Sequence, residues 1–183
     1  MISLLMSFSF LITAQAVPAG EQACLAPQKV AQELGSRHFV QERHLKGIDQ
    51  ALVSSGAAIV ASDSITWTVS DPIEISTVIS ESGMTQSIEG GPAEPVGAAG
   101  AANPMLSQSG LVNLLKGDLR GVDENYIVTE IQNETGWGLS LMPKAQEMAK
   151  HVIAIDVTGC TKIDSIKVKQ SNGDVIFVTF SKG

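Results

Sequence analysis

The sequence is poor in aromatic residues and in cationic residues. Only 4% of its 183 residues are aromatic, and 12 lysines and arginines face 19 aspartates and glutamates, for a formal net charge of -7. No cluster of basic residues occurs, and nucleic-acid binding depends on such clusters to neutralise phosphates. We therefore expect no nucleic-acid partner, and anionic membrane surfaces are disfavoured for the same reason. The scattered acidic residues predict a solvated acidic surface.

Patterns that carry catalysis or cofactor binding are also missing. The sequence has no Gly-x-Ser-x-Gly nucleophile motif, no phosphate-binding loop and no dinucleotide fingerprint. Neither Ser55 nor Ser140 has a base visible in the sequence. His38 and His44 could share one face of a strand, and His151 is distant, so no third metal ligand is indicated. We therefore predict a protein that is not an enzyme and binds no metal and no cofactor.

Long hydrophobic runs are absent too. Residues 1–16 are the most apolar stretch, but a bilayer span needs about 20 residues. The stretch ends in Ala14-Gln15-Ala16, a small-x-small pattern typical of signal-peptide cleavage sites. It contains no lysine or arginine, so a buried N-terminal helix is the alternative. We interpret residues 1–16 as a signal peptide and residues 17–183 as one secreted domain.

Cysteine is scarce, since Cys24 and Cys160 are the only two. After export, an even number of cysteines permits one disulfide. Such a bond would close a long loop and stabilise the fold by about 4 to 5 kcal/mol in the chain-entropy description. Two unrelated thiols are the alternative, and the sequence alone leaves the choice open.

Alternation of apolar and polar residues is the dominant pattern in the chain. Within residues 39–72, Ile65, Trp67 and Val69 share one face of a predicted strand, and Asp71-Pro72 ends it because proline cannot donate to a sheet. The same period predicts about ten antiparallel strands. They are residues 36–46, 56–62, 64–70, 73–79, 84–88, 126–131, 137–142, 152–158, 163–169 and 175–180.

Helices are few and short in this reading. Pro27 and Gly35 bracket a predicted helix over 26–34, and apolar spacing predicts another over 105–116, weakened at Gly110. A helical link is expected over 144–150. Residues 89–104 are rich in Gly, Ala and Pro and predict a loop, and Asn172-Gly173 predicts a type I′ hairpin turn. The order of elements indicates an α+β protein with a curved antiparallel sheet and helices on its concave face.

Several segments, in the same order and at similar spacing, resemble the LolA-like family of periplasmic lipoprotein carriers. The matching region runs from about residue 26 to the C-terminus. The segments are Phe39-Val40-Gln41-Glu42-Arg43, Ser54-Ser55-Gly56, Trp67 to Pro72, Leu114-Leu115-Lys116-Gly117-Asp118, Trp137-Gly138-Leu139-Ser140-Leu141-Met142-Pro143, and the hairpin from Ile166 to Asp174.

This resemblance implies an incomplete β-barrel, covered by two or three short helices, whose apolar cavity takes the acyl chains of a lipoprotein. It also implies an inner-membrane transporter as donor, an outer-membrane receptor as acceptor, a periplasmic location and a monomer. The family's Arg-Pro pair, whose arginine helps to lock the lid, is replaced here by residues 61–64 (Ala-Ser-Asp-Ser), so another lipid is an alternative cargo. The predicted cavity residues are Phe39, Ile65, Trp67, Ile75, Leu106, Leu111, Leu114, Leu115, Trp137, Leu139 and Leu141.

Three hypotheses follow from the sequence. The first is a lipid or lipoprotein carrier with a hollow apolar cavity. The second is a structural or interaction module of the cell envelope whose core is filled, because period-2 apolar residues are usually ordinary core. The third, an exported hydrolase, is disfavoured because no nucleophile with its base is visible.

Overall fold

A single antiparallel sheet forms most of the molecule. The structure is a computed structural model that describes residues 23–96 and 110–181. Eleven strands lie within these ranges. They are β1 (Gly35–His44), β2 (Leu52–Val60), β3 (Ser64–Asp71), β4 (Ile75–Ser80), β5 (Gly83–Ile88), β6 (Glu94–Pro95), β7 (Tyr126–Glu130), β8 (Trp137–Pro143), β9 (Val152–Gly159), β10 (Ile163–Gln170) and β11 (Val175–Phe180).

The order of strands across the sheet shows how the two halves of the chain meet. It runs β6-β5-β4-β3-β2-β1-β11-β10-β9-β8-β7, so the first and last strands pair in the middle. β6 and β7 are the two edges and do not pair with each other, so the sheet stays open. The predicted fold class, an α+β protein on an incomplete antiparallel β-barrel, is confirmed.

Short helices accompany the sheet, as predicted. The described ranges contain α1 (Leu111–Leu115), α2 (Val122–Asn125) and α3 (Gln146–Ala149). α1 begins directly after Gly110, whose φ of 66° belongs to the left-handed region, and this is where the sequence predicts a break. Residues 105–109 of the predicted helix lie outside the described residues. Among the described residues, no helix is long and apolar enough to cross a membrane.

The predicted helix over residues 26–34 is wrong. Only Pro27–Lys29 is helical, as one turn of 3-10 helix. The rest is held extended by partners elsewhere in the chain, since Val30 O accepts from Leu119 N at 3.0 Å and the Gln32 side chain donates to Ala61 O at 2.8 Å. Tertiary hydrogen bonds therefore override the local helical pattern.

Core packing is concentrated against β8 to β10. Leu139, Leu141, Ile155 and Val157 project from β8 and β9 onto the concave face and are at most 2% exposed. α3 packs against β8 and β9, and its Met148 is fully buried in the same cluster. This half of the barrel is a filled core.

Cys24 and Cys160 form a disulfide, which settles the choice that the sequence leaves open. The bond ties the segment before the 3-10 helix to the turn between β9 and β10. Beside it, Leu25 N and the Trp137 indole both donate to Cys160 O, at 3.1 and 2.7 Å. The N-terminal segment is thus fixed to the filled half of the barrel.

Gly56 lies where two strands approach closely. It sits at an irregularity in the β2–β3 pairing, between Ser55 paired with Asp71 and Gly56 paired with Val69. A Cβ at this position would lie 1.8 Å from Thr68 O. We expect Gly56→Ala to lower the free energy of unfolding by about 1 to 3 kcal/mol, since the backbone must shift. Urea unfolding measures this change. An unaltered midpoint would contradict the close approach.

The hairpin between β10 and β11 exists, but its predicted turn type is wrong. A type I′ turn needs positive φ at both central residues. Gly173 has φ 94°, whereas Asn172 is not among the residues with positive φ. Gly173 N donates to Gln170 O and Gln170 N donates to Asp174 O, which is a type I turn followed by a glycine bulge. The Asn172 side chain is held by Asp174, because its Oδ1 accepts from Asp174 N and its Nδ2 donates to the Asp174 carboxylate.

Asp174 joins this hairpin to the loop after β1. Its carboxylate accepts from Lys46 N at 3.0 Å and lies 3.6 Å from the Arg43 guanidinium. These contacts, the Lys46 hydrogen bond first, hold the pKa of Asp174 below its usual range. A lowered carboxylate pKa contributes stability above the unfolded-state pKa of about 3.9, and this stability is lost as pH falls through the folded-state value.

The consequence can be measured with Asp174→Asn. We expect this variant to be less stable than the parent at neutral pH, and the difference in free energy of unfolding to shrink as the pH falls below about 4. Thermal unfolding followed by circular dichroism across this range tests it. A difference that stays constant with pH would contradict the role assigned to the carboxylate.

Candidate functional site

The register of the strands defines a second, different region of the concave face. Directly opposed residues share a face, so Trp67 of β3, Thr77 of β4 and Gln86 of β5 lie side by side. The row on one side pairs Ile79 with Met84, and the row on the other runs through Ile75. We call this surface the open face, and its members are Trp67, Val69, Ile75, Thr77, Ile79, Met84, Gln86 and Ile88.

Cover is incomplete over the open face. No residue of β4 or β5 is fully buried in the described part of the structure. Ile88 at its border is 55% exposed, whereas Leu139 and Leu141 on the opposite half are at most 2% exposed. One sheet therefore carries a filled apolar half and an apolar half that the described residues cover only in part.

The open face is also electrically neutral. None of its eight members carries a charge, although 17% of the chain is charged. Its two polar residues pair with each other, because Gln86 Nε2 donates to Thr77 Oγ1 at 3.2 Å. Their mutual hydrogen bond lowers the cost of covering the face with an apolar partner.

An aromatic wall separates the open face from the filled half. Phe39 of β1 stacks on Trp67 with ring centroids 4.0 Å apart, and Trp67 meets Phe180 of β11 edge-on at 6.2 Å. Phe39 is only 2% exposed, while Trp67 is partly exposed. Trp67 therefore packs on both Phe39 and Phe180 and keeps part of its side chain exposed.

The cavity beside the open face is much larger than a second cavity beside the packed core. A cleft of about 420 Å³ lies at the β5–β6 end, lined by residues that include Gln86, Ile88 and Glu94. Beside Leu114 and Phe180, the space is only about 20 Å³, enough for one water molecule. Small-molecule sites commonly have volumes of about 300 to 1,000 Å³. Only the first of these two cavities matches a ligand of that size.

The predicted cavity residues fall into separate groups in the structure. Phe39, Ile65, Leu114, Leu139 and Leu141 are almost fully buried and belong to the packed core. Leu111, Leu115 and Trp137 are partly buried and pack against that core, and Leu106 lies outside the described residues. Only Trp67 and Ile75 lie on the open face.

Sequence reasoning missed the other members of the open face. Ile79 follows Ile75 in the same alternation, so its face could have been inferred from the spacing. Met84 and Ile88 are placed there by the two-residue turn after Ser80, which sets Ile79 opposite Met84. The sequence predicts separate strands over 73–79 and 84–88 but not the register between them.

Among the described residues, the titratable side chains form no catalytic arrangement around this face. His38 and His151 are exposed, and His44 contacts Glu42 at 3.3 Å. Ser140 Oγ donates to Asp156, whose carboxylate is paired with Lys169 at 2.8 Å. Within the described residues, no group of three or more His, Cys, Asp or Glu side chains could hold a metal ion.

The fold and the site define a class: an open antiparallel half-barrel with a neutral, accessible apolar surface beside a filled core. No family model and no curated protein matches the chain. Among solved structures, it is similar to a LolA superfamily protein from Nitrosomonas europaea, with 7% identity, 86% of each chain covered and a TM-score of 0.42.

Two further structures are similar over most of the chain. One is a putative outer membrane lipoprotein-sorting protein domain from Vibrio parahaemolyticus, with 7% identity, 81% of this chain and 84% of that chain covered, and a TM-score of 0.39. The other is a DUF1329 family protein from Desulfovibrio piger, with 12% identity, coverages of 80% and 83%, and a TM-score of 0.41. At these identities and scores, the likeness does not define a function for this chain.

Proposed function

We propose that the protein is a carrier that holds the acyl chains of a lipoprotein or another lipid on its open face. The observation that carries this proposal is the incompletely covered, uncharged and largely apolar surface of β3 to β5 among the described residues. A flexible acyl chain suits a shallow aliphatic surface better than a rigid polar ligand does. Burial contributes about 0.8 kcal/mol for each methylene group.

Binding of this kind needs no covalent chemistry. The chain would lie across the two aliphatic rows, against the exposed side of Trp67, and extend toward the 420 Å³ cleft at Ile88. Met84 can adjust to different chain shapes because its side chain is flexible. Loading and release both require that the bound and free states have similar free energies. A shallow site meets this need better than a closed cavity.

We place the carrier in the periplasm, moving cargo between the inner and outer membranes as a monomer. The Cys24–Cys160 disulfide supports an oxidising compartment. Residues 1–16 would be the signal peptide and residues 17–183 the single carrier domain. An inner-membrane transporter and an outer-membrane receptor would be its partners, following the sequence resemblance.

The alternative is a non-catalytic interaction module of the envelope with a filled core. The packing of β8 to β10 and the 20 Å³ cavity beside Leu114 favour it for that half of the barrel. The interaction-module alternative does not account for the exposure of Ile75, Met84 and Ile88. The two functions differ in whether lipid occupies the open face.

Native mass spectrometry decides between them. The protein is purified from the periplasm without detergent, and bound material is extracted and analysed. We expect an additional mass that releases acyl chains, and its identity separates lipoprotein from free lipid. Failure to find lipid, together with failure of fluorescent acyl probes to bind, would establish the interaction module instead.

A further inference from the structure

A second site, separate from the open face, lies where three cationic side chains meet the 20 Å³ cavity. Arg37, Lys116 and Lys162 all line it, together with Glu33, beside apolar side chains such as Phe180. The chain has only 12 lysines and arginines, so three at one small cavity is a marked concentration. A volume of this size accommodates about one water molecule or one ligand oxygen.

Arg37 is held in place by two contacts, while its buried Nε has no hydrogen-bond partner among the described residues. Its Nη2 donates to Ile163 O at 2.8 Å, and its guanidinium carbon lies 4.4 Å above the centre of the Phe180 ring. Burial lowers the pKa of Arg37. An unpaired buried donor destabilises the fold, so a fixed, unsatisfied Nε points to an acceptor from outside the chain.

The two lysines add further donors. Lys116 is only 7% exposed and donates to Ser62 O at 2.6 Å, which uses one of its three ammonium protons. Lys162 is more accessible, and its ammonium lies 4.0 Å from the Glu33 carboxylate. Glu33 is on the surface with a side chain 57% exposed, so it can turn toward solvent when another anion arrives.

A larger cleft adjoins the small cavity. It has a volume of about 280 Å³ and shares Glu33, Arg37 and Lys162 with the cavity, and its wall also includes His38 and Ser181. The small cavity can thus take one atom of a ligand while the cleft takes the remainder. Asp164 is the other acidic group near Arg37.

We propose that this end of the barrel binds a phosphate group. One phosphate oxygen would enter the small cavity and accept from Arg37 Nε and Lys116 Nζ, and the other oxygens would face Lys162 in the cleft. Three separate single donors suit the several oxygens of a phosphate better than the two of a carboxylate, and hydrogen bonds between ions are the strong ones. The phosphate is either inorganic or the headgroup of a lipid.

Binding is tested by titrating the intact protein with inorganic phosphate and, separately, with dihexanoyl phosphatidic acid below its micelle concentration. The Arg37 Nε–Hε resonance reports the contact directly. We expect it to shift on titration, and Arg37→Gln to weaken binding by about tenfold or more. A headgroup site binds the lipid more tightly than inorganic phosphate, whereas a free-phosphate site binds both alike.

Two more variants keep the test decisive if Arg37→Gln unfolds. Lys162→Gln removes a partly exposed charge and should weaken binding about threefold to tenfold. Lys150→Gln removes an exposed lysine paired with Glu147 and should leave the affinity for phosphate unchanged. An unmoved Arg37 resonance, or equal affinities for the Lys162 and Lys150 variants, would contradict a phosphate site at this cavity. Inorganic phosphate does not use the open face, so this result is independent of acyl binding.

Discussion

The double substitution Ile75→Asp/Met84→Asp reduces the affinity for a fluorescent palmitate analogue by at least about a hundredfold, if acyl chains occupy the open face. Both side chains are partly exposed and lie on the concave side of β4 and β5. A bound chain would have to strip water from two carboxylates that no cationic side chain among the described residues of this face neutralises. The titration is followed by probe fluorescence in the absence of detergent.

Val78→Asp is the matched control for this pair. Val78 lies in β4, the strand that contains Ile75. It is 39% exposed and points to the convex face. We expect it to bind the probe like the parent protein, while circular dichroism shows that all the variants are folded. Equal binding by the Ile75/Met84 double variant and the control would place the acyl site elsewhere.

Loss of the disulfide is the second large effect. The bond joins residues 136 apart in the sequence, and a loop of that length corresponds to about 4 to 5 kcal/mol in the chain-entropy description. We expect Cys24→Ser/Cys160→Ser to lower Tm by about 10 °C or more. The N-terminal segment would remain docked only through contacts such as Leu119 N to Val30 O.

A reductant supplies the control for the cysteine variant. It should lower Tm of the parent protein to that of the double serine variant and leave the variant itself unchanged. The tryptophan emission should change as well, since the Trp137 indole donates to Cys160 O. If the parent and the serine variant melt at the same temperature under oxidising conditions, the bond contributes nothing to stability.

The strands could be predicted from sequence because each has its own local signal. Ile65, Trp67 and Val69 alternate with polar residues, and a Pro or Gly turn bounds nearly every run. The helix over 26–34 could not be judged in this way, because its residues are held by Leu119 and Ala61, far away in the sequence. The turn at Asn172 was misassigned for a related reason, since its side chain is engaged by Asp174.

The site was harder to predict than the fold. Leu139 and Leu141 have the same alternation as Ile75 and Ile79, and sequence does not show which run is covered. Leu139 and Leu141 are covered by Leu119, Met148 and other residues that lie far from them or on other elements of the fold. The role proposed for Arg37 could not be predicted either, because the position of its unpaired Nε depends on Ile163 and Phe180, which no local pattern encodes.

The most direct test of the carrier proposal is to locate a bound acyl chain. Methyl-labelled protein is titrated with a nitroxide-labelled fatty acid, and line broadening is recorded for each methyl group. We predict broadening at Ile75, Ile79 and Met84 on the open face, and little at Ile59 and Val78 on the convex face. Equal broadening on both faces, or none on the open face, would contradict the carrier proposal.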